Sequence, residues 1–180
     1  MSGLVDRLLG LPSRLVLVIT GLVVFAEDAL FVGFVLPGET VALLAGAAAK
    51  LGHVSLVGVL VVVVVAAIVG DTVGYEVGKR FGPRLMRTRL FLRHEGRLLR
   101  ARGFLDGRGA PAIFVGRFTA FLRAVTPGLA GLSGMRYRRF LVWNALGGLV
   151  WGVGCVVAGY VAGSSYQQMA SRPTSFPTRA

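Results

Sequence analysis

Residues 54–78 read VSLVGVLVVVVVAAIVGDTVGYEVG, and this stretch decides the fold. Val54–Val69 is almost pure Val, Leu, Ala and Ile. With its flanks the run reaches roughly 20 residues, enough at ~1.5 Å per residue to cross a ~30 Å hydrocarbon layer. The run is too long for a soluble core, so the stretch predicts a membrane-spanning helix over 54–79. The second half changes character. Gly70, Gly74 and Gly78 recur every fourth residue and form a smooth ridge, which lets another helix backbone approach closely.

Composition agrees. The chain has 180 residues, one domain's worth, with 54% hydrophobic residues and a mean hydropathy of +0.71. An all-α integral membrane protein is expected. The net charge of +12 raises the question of nucleic acid, and the distribution answers it. Lys79, Arg80, Arg84, Arg87, Arg89, Arg93, Arg97, Arg100, Arg102 and Arg108 crowd one central segment, and Arg7 and Arg14 sit near the N-terminus. Membrane topology asks for such an excess in cytoplasmic loops. Segment 79–108 also offers anionic lipid headgroups a face. No nucleic-acid-binding motif accompanies the charge, so no nucleic-acid partner is expected. The single Cys155 reads as a small packing residue.

Working outward, residues 1–13 form a cytoplasmic lead and 14–163 the membrane domain, followed by a polar, disordered tail over 164–180. A first helix is expected from Arg14 to Phe31. Glu27 and Asp28 break its apolar run, so it reads as a retained helix rather than a cleaved signal. Gly33–Gly38 is a Gly/Pro break. The apolar 39–50 that follows is too short to span, which is how a re-entrant segment looks. Segment 79–108 reads as one or two amphipathic helices on the cytoplasmic leaflet, or as a solvated basic loop. Residues 110–133 repeat the earlier theme: an apolar approach, a break at Thr126-Pro127-Gly128, then a short small-residue helix. A re-entrant hairpin here returns Arg136, Arg138 and Arg139 to the basic side. Helix 140–163 then spans.

The two halves echo each other. Ala45-Gly46 and Ala130-Gly131 are 85 residues apart, as are Gly74-Tyr75 and Gly159-Tyr160, and Gly78 and Gly163. Each unit reads as a re-entrant helix followed by a spanning helix. One crossing separates the units, so they have opposite orientation. Inverted repeats with broken helices place a transporter site at the repeat interface.

Charges stand at bilayer depth: Glu27, Asp28 and Glu39 in the first half, Arg117 and Arg123 in the second. Such residues are costly there, and they usually pair, face a cavity and mark a substrate or proton path.

A set of motifs runs in order along the chain: Phe25-Ala26-Glu27, Phe34-Val35-Leu36-Pro37-Gly38-Glu39, Leu44-Ala45-Gly46 and Gly70-Asp71-Thr72-Val73-Gly74-Tyr75-Glu76-Val77-Gly78. The second half adds Gly116-Arg117-Phe118, Arg123-Ala124-Val125-Thr126-Pro127-Gly128, Ala130-Gly131, Met135, Phe140, Asn144, Gly147 and Trp151. In this ordered combination the chain resembles the DedA family of bacterial membrane proteins, which share the VTT domain with eukaryotic lipid scramblases. The resemblance covers roughly residues 20–163. It implies a proton-motive-force-linked lipid carrier in the bacterial inner membrane, some relatives recycling undecaprenyl phosphate. Two embedded acids and two arginines are required in such proteins. Glu27 and Glu39 match the acids, and Arg117 and Arg123 match the arginines. Ala-Val-Thr-Pro after Arg123 fits the family pattern loosely. Many relatives have one more helix beyond the position of Gly163.

The chemistry fits an anionic lipid. Arginine stays charged and grips phosphate through a planar fork. Arg117 and Arg123 are therefore assigned to phosphate, and Glu27, Glu39 and Asp71 to proton coupling. Burial and a nearby arginine push a carboxyl's proton affinity in opposite directions, so such an acid can exchange a proton as lipid binds and leaves. The plainer alternative is that Glu27–Arg117 type pairs merely staple the two halves. Asp71 either joins the proton path or braces the Gly-rich helix. Asp28 and Glu76 are placed as interfacial or secondary residues, and Asn144, Trp143 and Trp151 as helix glue and interface anchors. One helix alone does not align Arg117 with Arg123; a break or bend between them would.

An enzyme is not expected. His53 and His94 read as loop and surface residues, without the surroundings of a phosphatase nucleophile. The acids are too scattered for a Mg²⁺ site, so neither metal nor cofactor is expected. The rivals that share the fold are an energy-independent scramblase and an envelope assembly factor. The arrangement leaves room for a homo-oligomer.

Overall fold

The computed structural model describes residues 12–29, 38–85 and 95–170. Among these residues all regular structure is helical. The helices are α1 (Ser13–Ala29), α2 (Gly38–Lys50), α3 (Leu56–Leu85), α4 (Glu95–Arg108), α5 (Pro111–Gly116), α6 (Ala120–Leu132) and α7 (Tyr137–Ala170). The expected lead over 1–11, most of the Gly33–Gly38 break, the middle of the basic segment including His94, and positions 171–180 lie outside the described residues.

Two of these helices are long and apolar enough to cross a membrane, Leu56–Gly82 within α3 and Tyr137–Ser164 within α7. Their outer faces are apolar. Val57, Val61, Val65 and Val69 repeat every fourth residue on α3 and are all exposed, Val57 at 68%. On α7, Val142, Leu146 and Val150, and one two-turn step further Val157 and Val161, are likewise exposed. Contiguous apolar surface of this extent is rare on a soluble monomer and is what lipid contact requires.

Each short helix packs on the long helix of the other half: α2 runs along α7, and α6 along α3. Glycine permits both approaches. A side chain at Gly46 would overlap the Val156 carbonyl of α7, and one at Gly159 would overlap the Leu43 carbonyl of α2. In the other half, Gly131 lies against the Tyr75 carbonyl and Gly78 against that of Gly128. With no Cβ in the way the backbones come into direct contact, and van der Waals packing replaces the hydrophobic drive that lipid cannot supply. Two apolar clusters result. One joins α1, α2, α3 and α7 through Val24, Ala42, Ala45, Val63 and Val156. The other joins α3 to α4–α7 through Tyr75, Leu105, Ile113, Leu129 and Phe140. In the second, Tyr75 donates its hydroxyl to the Met135 carbonyl and stacks on Phe140 with ring centroids 4.7 Å apart.

Several expected boundaries move. α3 continues to Leu85 and carries Lys79, Arg80 and Arg84 on its final turns, because α6 braces it there, with Leu132 against Gly82. α7 begins at Tyr137 and runs to Ala170, so positions 164–170 are helical and not part of a disordered tail. Ser, Gln and Met after a long helix carry little propensity penalty and simply extend it. In the basic segment, α4 turns Ala101, Phe104 and Leu105 toward α5 and α6. That side covers protein rather than the lipid leaflet, while Arg100, Arg102 and Arg108 face outward.

The largest correction concerns the break in the second half. Pro127 does not interrupt the chain; it lies inside α6. A proline there removes one backbone hydrogen bond, to the Arg123 carbonyl, and packing of α6 against α3 sustains the helix. The break falls earlier, at Arg117–Thr119. There the backbone tightens into i→i−3 bonds, with Arg117, Phe118 and Thr119 donating to Phe114, Val115 and Gly116. Thr119 is then extended, at φ −121° and ψ 120°.

Candidate functional site

The break at Arg117–Thr119 builds the site. α5 ends at Gly116 and leaves Arg117 at its C-cap, while α6 restarts at Ala120 and presents Arg123 from its first turn. Both side chains thereby enter one buried volume, as a single straight helix would not allow. α1 brings Glu27 and Asp28 from its last turn, α2 brings Glu39 from its first, and α3 brings Asp71 from its middle. α7 supplies Asn144 and Trp151.

Arg117 is saturated on its inner side. Its Nη1 donates to the Asp71 carboxylate and, at 2.8 Å, to Asn144 Oδ1. Its Nη2 donates to Asp28 Oδ2 at 3.4 Å. Asn144 is fixed in turn by donating Nδ2 to the Ile68 carbonyl at 3.2 Å. Space for this guanidinium comes from α7, where a Cβ on Gly147 would sit 3.1 Å from Arg117 Cδ. Two buried atoms find no hydrogen-bond partner among the described residues, Asp71 Oδ1 and Arg117 Nε.

Arg123 is held differently. Its Nη2 donates to Glu27, its Nη1 to Glu39 Oε1 at 2.9 Å, and its Nε lies 3.9 Å from Asp28 Oδ1. The Glu27 carboxylate also lies against Gly38 at the start of α2, where a Cβ would overlap it. Glu39 is the one rim residue of the set: its side chain is 56% exposed, whereas Arg123 and Glu27 are buried. Trp151 lies beneath both arginines, its ring 5.7 Å from Arg117 Cζ and 4.8 Å from Arg123 Cζ. A cation over an indole face gains electrostatic attraction, more so when desolvated.

All five residues assigned from sequence, Glu27, Glu39, Asp71, Arg117 and Arg123, therefore meet in one cluster. The expected Glu27–Arg117 pairing is replaced by Glu27–Arg123 and Asp71–Arg117. Three residues were underrated. Asp28 is buried and touches both arginines, so it is no interfacial residue. The signal was its place next to Glu27 in an apolar run. Asn144 glues helices, but through Arg117. Trp151 is a floor for the guanidiniums rather than an interface anchor, and nothing in the sequence ties it to arginines so far upstream. Trp143 packs at the edge of the second apolar cluster. Glu76 pairs with exposed Arg80 at 3.3 Å. His53 lies exposed in the loop after α2. Among the described residues no group of three or more His, Cys, Asp or Glu side chains is arranged to hold a metal ion.

Residues 36–161 match the family model of the VTT domain. The chain is 34% identical over 157 residues to an uncharacterized membrane protein of Mycobacterium leprae, covering 86% of this chain and 67% of that one. It is 37% identical over 170 residues to an uncharacterized membrane protein of Mycobacterium tuberculosis, covering 90% and 76%. It is 34% identical over 148 residues to Protein DedA of Escherichia coli, covering 79% and 67%. No solved structure matches. The family match, with these relatives, makes this chain a VTT-domain membrane protein of the DedA family.

Proposed function

We propose that this protein carries an anionic lipid across the bacterial inner membrane in exchange with protons, and that the lipid is a polyprenyl phosphate of the undecaprenyl phosphate type. The observation that carries the reading is the Arg123 seat. Arg123 is buried, yet one of its two close partners is the rim residue Glu39. A lipid phosphate arriving along the apolar flank reaches Arg123 by displacing Glu39 first and Glu27 second. The guanidinium fork then trades two carboxylates for phosphate oxygens. The displaced carboxyl takes up a proton, which keeps the buried charge constant. Arg117, held by Asp71 and Asn144, supplies the second positive charge and fixes the depth of the site. No step needs a nucleophile, metal or cofactor, so the reading is of a transporter and not an enzyme.

The same reading takes α2 and α5–α6 as re-entrant elements of two oppositely oriented repeats, with the cluster at their interface, in a multi-pass protein. The reciprocal packing of α2 on α7 and α6 on α3 supports it. The outward arginines of α4 serve as contacts for anionic headgroups. A purely structural role has one observation in its favour, the closed Asp71–Arg117–Asn144 arrangement, which braces α3, α5 and α7 whether or not lipid moves.

Purified protein in liposomes tests the proposal through undecaprenyl phosphate translocation, with and without an imposed pH gradient. Translocation is expected to respond to the gradient and to fail in Glu27→Gln and Arg123→Ala. Indifference to the gradient would point to an energy-independent scramblase. Absence of translocation by folded protein would sink the lipid assignment and favour an assembly role.

A further inference from the structure

The cluster holds more buried acid than base. Glu27, Asp28 and Asp71 have side chains 2–3% exposed, and they face two guanidiniums that are equally sequestered. Glu39 meets Arg123 from the rim, with its side chain 56% exposed, and is not part of the buried set. The charged groups facing Asp28 are Glu27 beside it on α1, Asp71 on α3, and Arg117 and Arg123 from either side of the α5–α6 break; Glu39 on α2 meets Arg123, and Cys155 on α7 faces Glu39, Arg123 and Glu27. With every acid ionised, the buried set carries one uncompensated negative charge in an apolar interior, an arrangement that proteins avoid by neutralising a group.

Geometry says which acid is left over. Asp71 makes the close contact with Arg117, and Glu27 makes the close contact with Arg123. Asp28 reaches the same two arginines only at 3.4 Å and 3.9 Å, one oxygen to each. It takes a second share of two cations already paired. It is also firmly placed: α1 and α3 approach at Gly70, where a Cβ would come within 2.8 Å of Asp28 Cβ.

We propose that Asp28 is the carboxyl that holds the proton of the resting cluster. This deepens the exchange reading above and rests on it for its use. When an anionic headgroup takes Arg123, Asp28 keeps its proton and the released Glu27 carboxylate takes one up from water, an O–H bond forming on Glu27 as one in hydronium breaks. The buried set then holds two guanidiniums against the Asp71 carboxylate and a singly charged headgroup, so its charge stays balanced.

The assignment is tested on the ligand-free protein in nanodiscs by infrared spectroscopy of the protonated-carboxyl C=O stretch at neutral pH. The band is expected to shift when aspartate is labelled with ¹³C and to stay in place when glutamate is. It should vanish in Asp28→Asn. That variant should fold, because Asn is the neutral isostere of the protonated acid, whereas Asp71→Asn strips an arginine of its closest anion. Absence of the band, movement with labelled glutamate, or survival in Asp28→Asn would each overturn the assignment. The labelling arm needs no variant. Protein that moves no lipid yet shows the aspartate band would keep this assignment and lose the transport reading, so the two fail separately.

Discussion

Asp71 and Arg117 offer the sharpest test of how this interior is held together. Changing Asp71 to Asn leaves Arg117 with Asn144 at 2.8 Å and a shared Asp28 at 3.4 Å, but without its closest carboxylate. Removing one partner of a buried ion pair costs about 3–5 kcal/mol when the remaining charge stays uncompensated; here Asp28 can give up its proton and face Arg117 from 3.4 Å, which places the cost at the low end of that range. Arg117→Met should cost a similar amount by stranding Asp71 beside Asp28. Removing both leaves neither charge uncompensated, so the double variant should be more stable than the sum of the singles implies. Coupling between residues in one network runs at about 0.5–3 kcal/mol, and burial on both sides places this pair toward the top of that range. The assay is equilibrium unfolding in detergent micelles followed by tryptophan fluorescence. Trp151 sits beneath the guanidiniums, and a Trp143→Phe background isolates it. Additivity within about 0.5 kcal/mol would show that the two residues do not share a network and would refute the account of Arg117 as a locked charge.

Other outcomes follow from the same contacts. Gly131→Leu and Gly46→Leu should each destabilise the protein by about 1–3 kcal/mol or more, since any side chain meets the backbone of the partner helix. Gly154→Leu, with open space around its Cβ position, should stay within about 0.5 kcal/mol; melting temperatures in micelles compare them. Glu76→Ala removes only an exposed pair with Arg80 and should change stability by less than about 1 kcal/mol in the same assay. Trp151→Phe keeps an aromatic floor but weakens the attraction to two cations, a loss of about 0.5–2 kcal/mol in unfolding free energy. An unchanged value would remove Trp151 from the site.

The sequence by itself determined the solvent, the helices and the cast of charged residues. A valine-rich run longer than any soluble core, acids and arginines set within apolar stretches, and glycines at fixed spacing are local facts, and a bilayer penalises or rewards each locally. Which helix meets which, and hence which acid meets which arginine, was decided only in three dimensions. Glu27 and Arg123 are 96 residues apart and Asp71 and Arg117 are 46 apart, and no periodicity specifies such a match. It follows from backbone contact of α2 with α7 and of α6 with α3. The break at Arg117–Thr119 shows the same division. Proline made Pro127 the obvious local candidate, but packing along α3 outweighed its propensity. The bend went instead to the point where two buried arginines had to face the same acids. From its local sequence Asp28 reads as an interfacial or secondary residue. Its central place exists only because Gly70 lets α1 and α3 close around it.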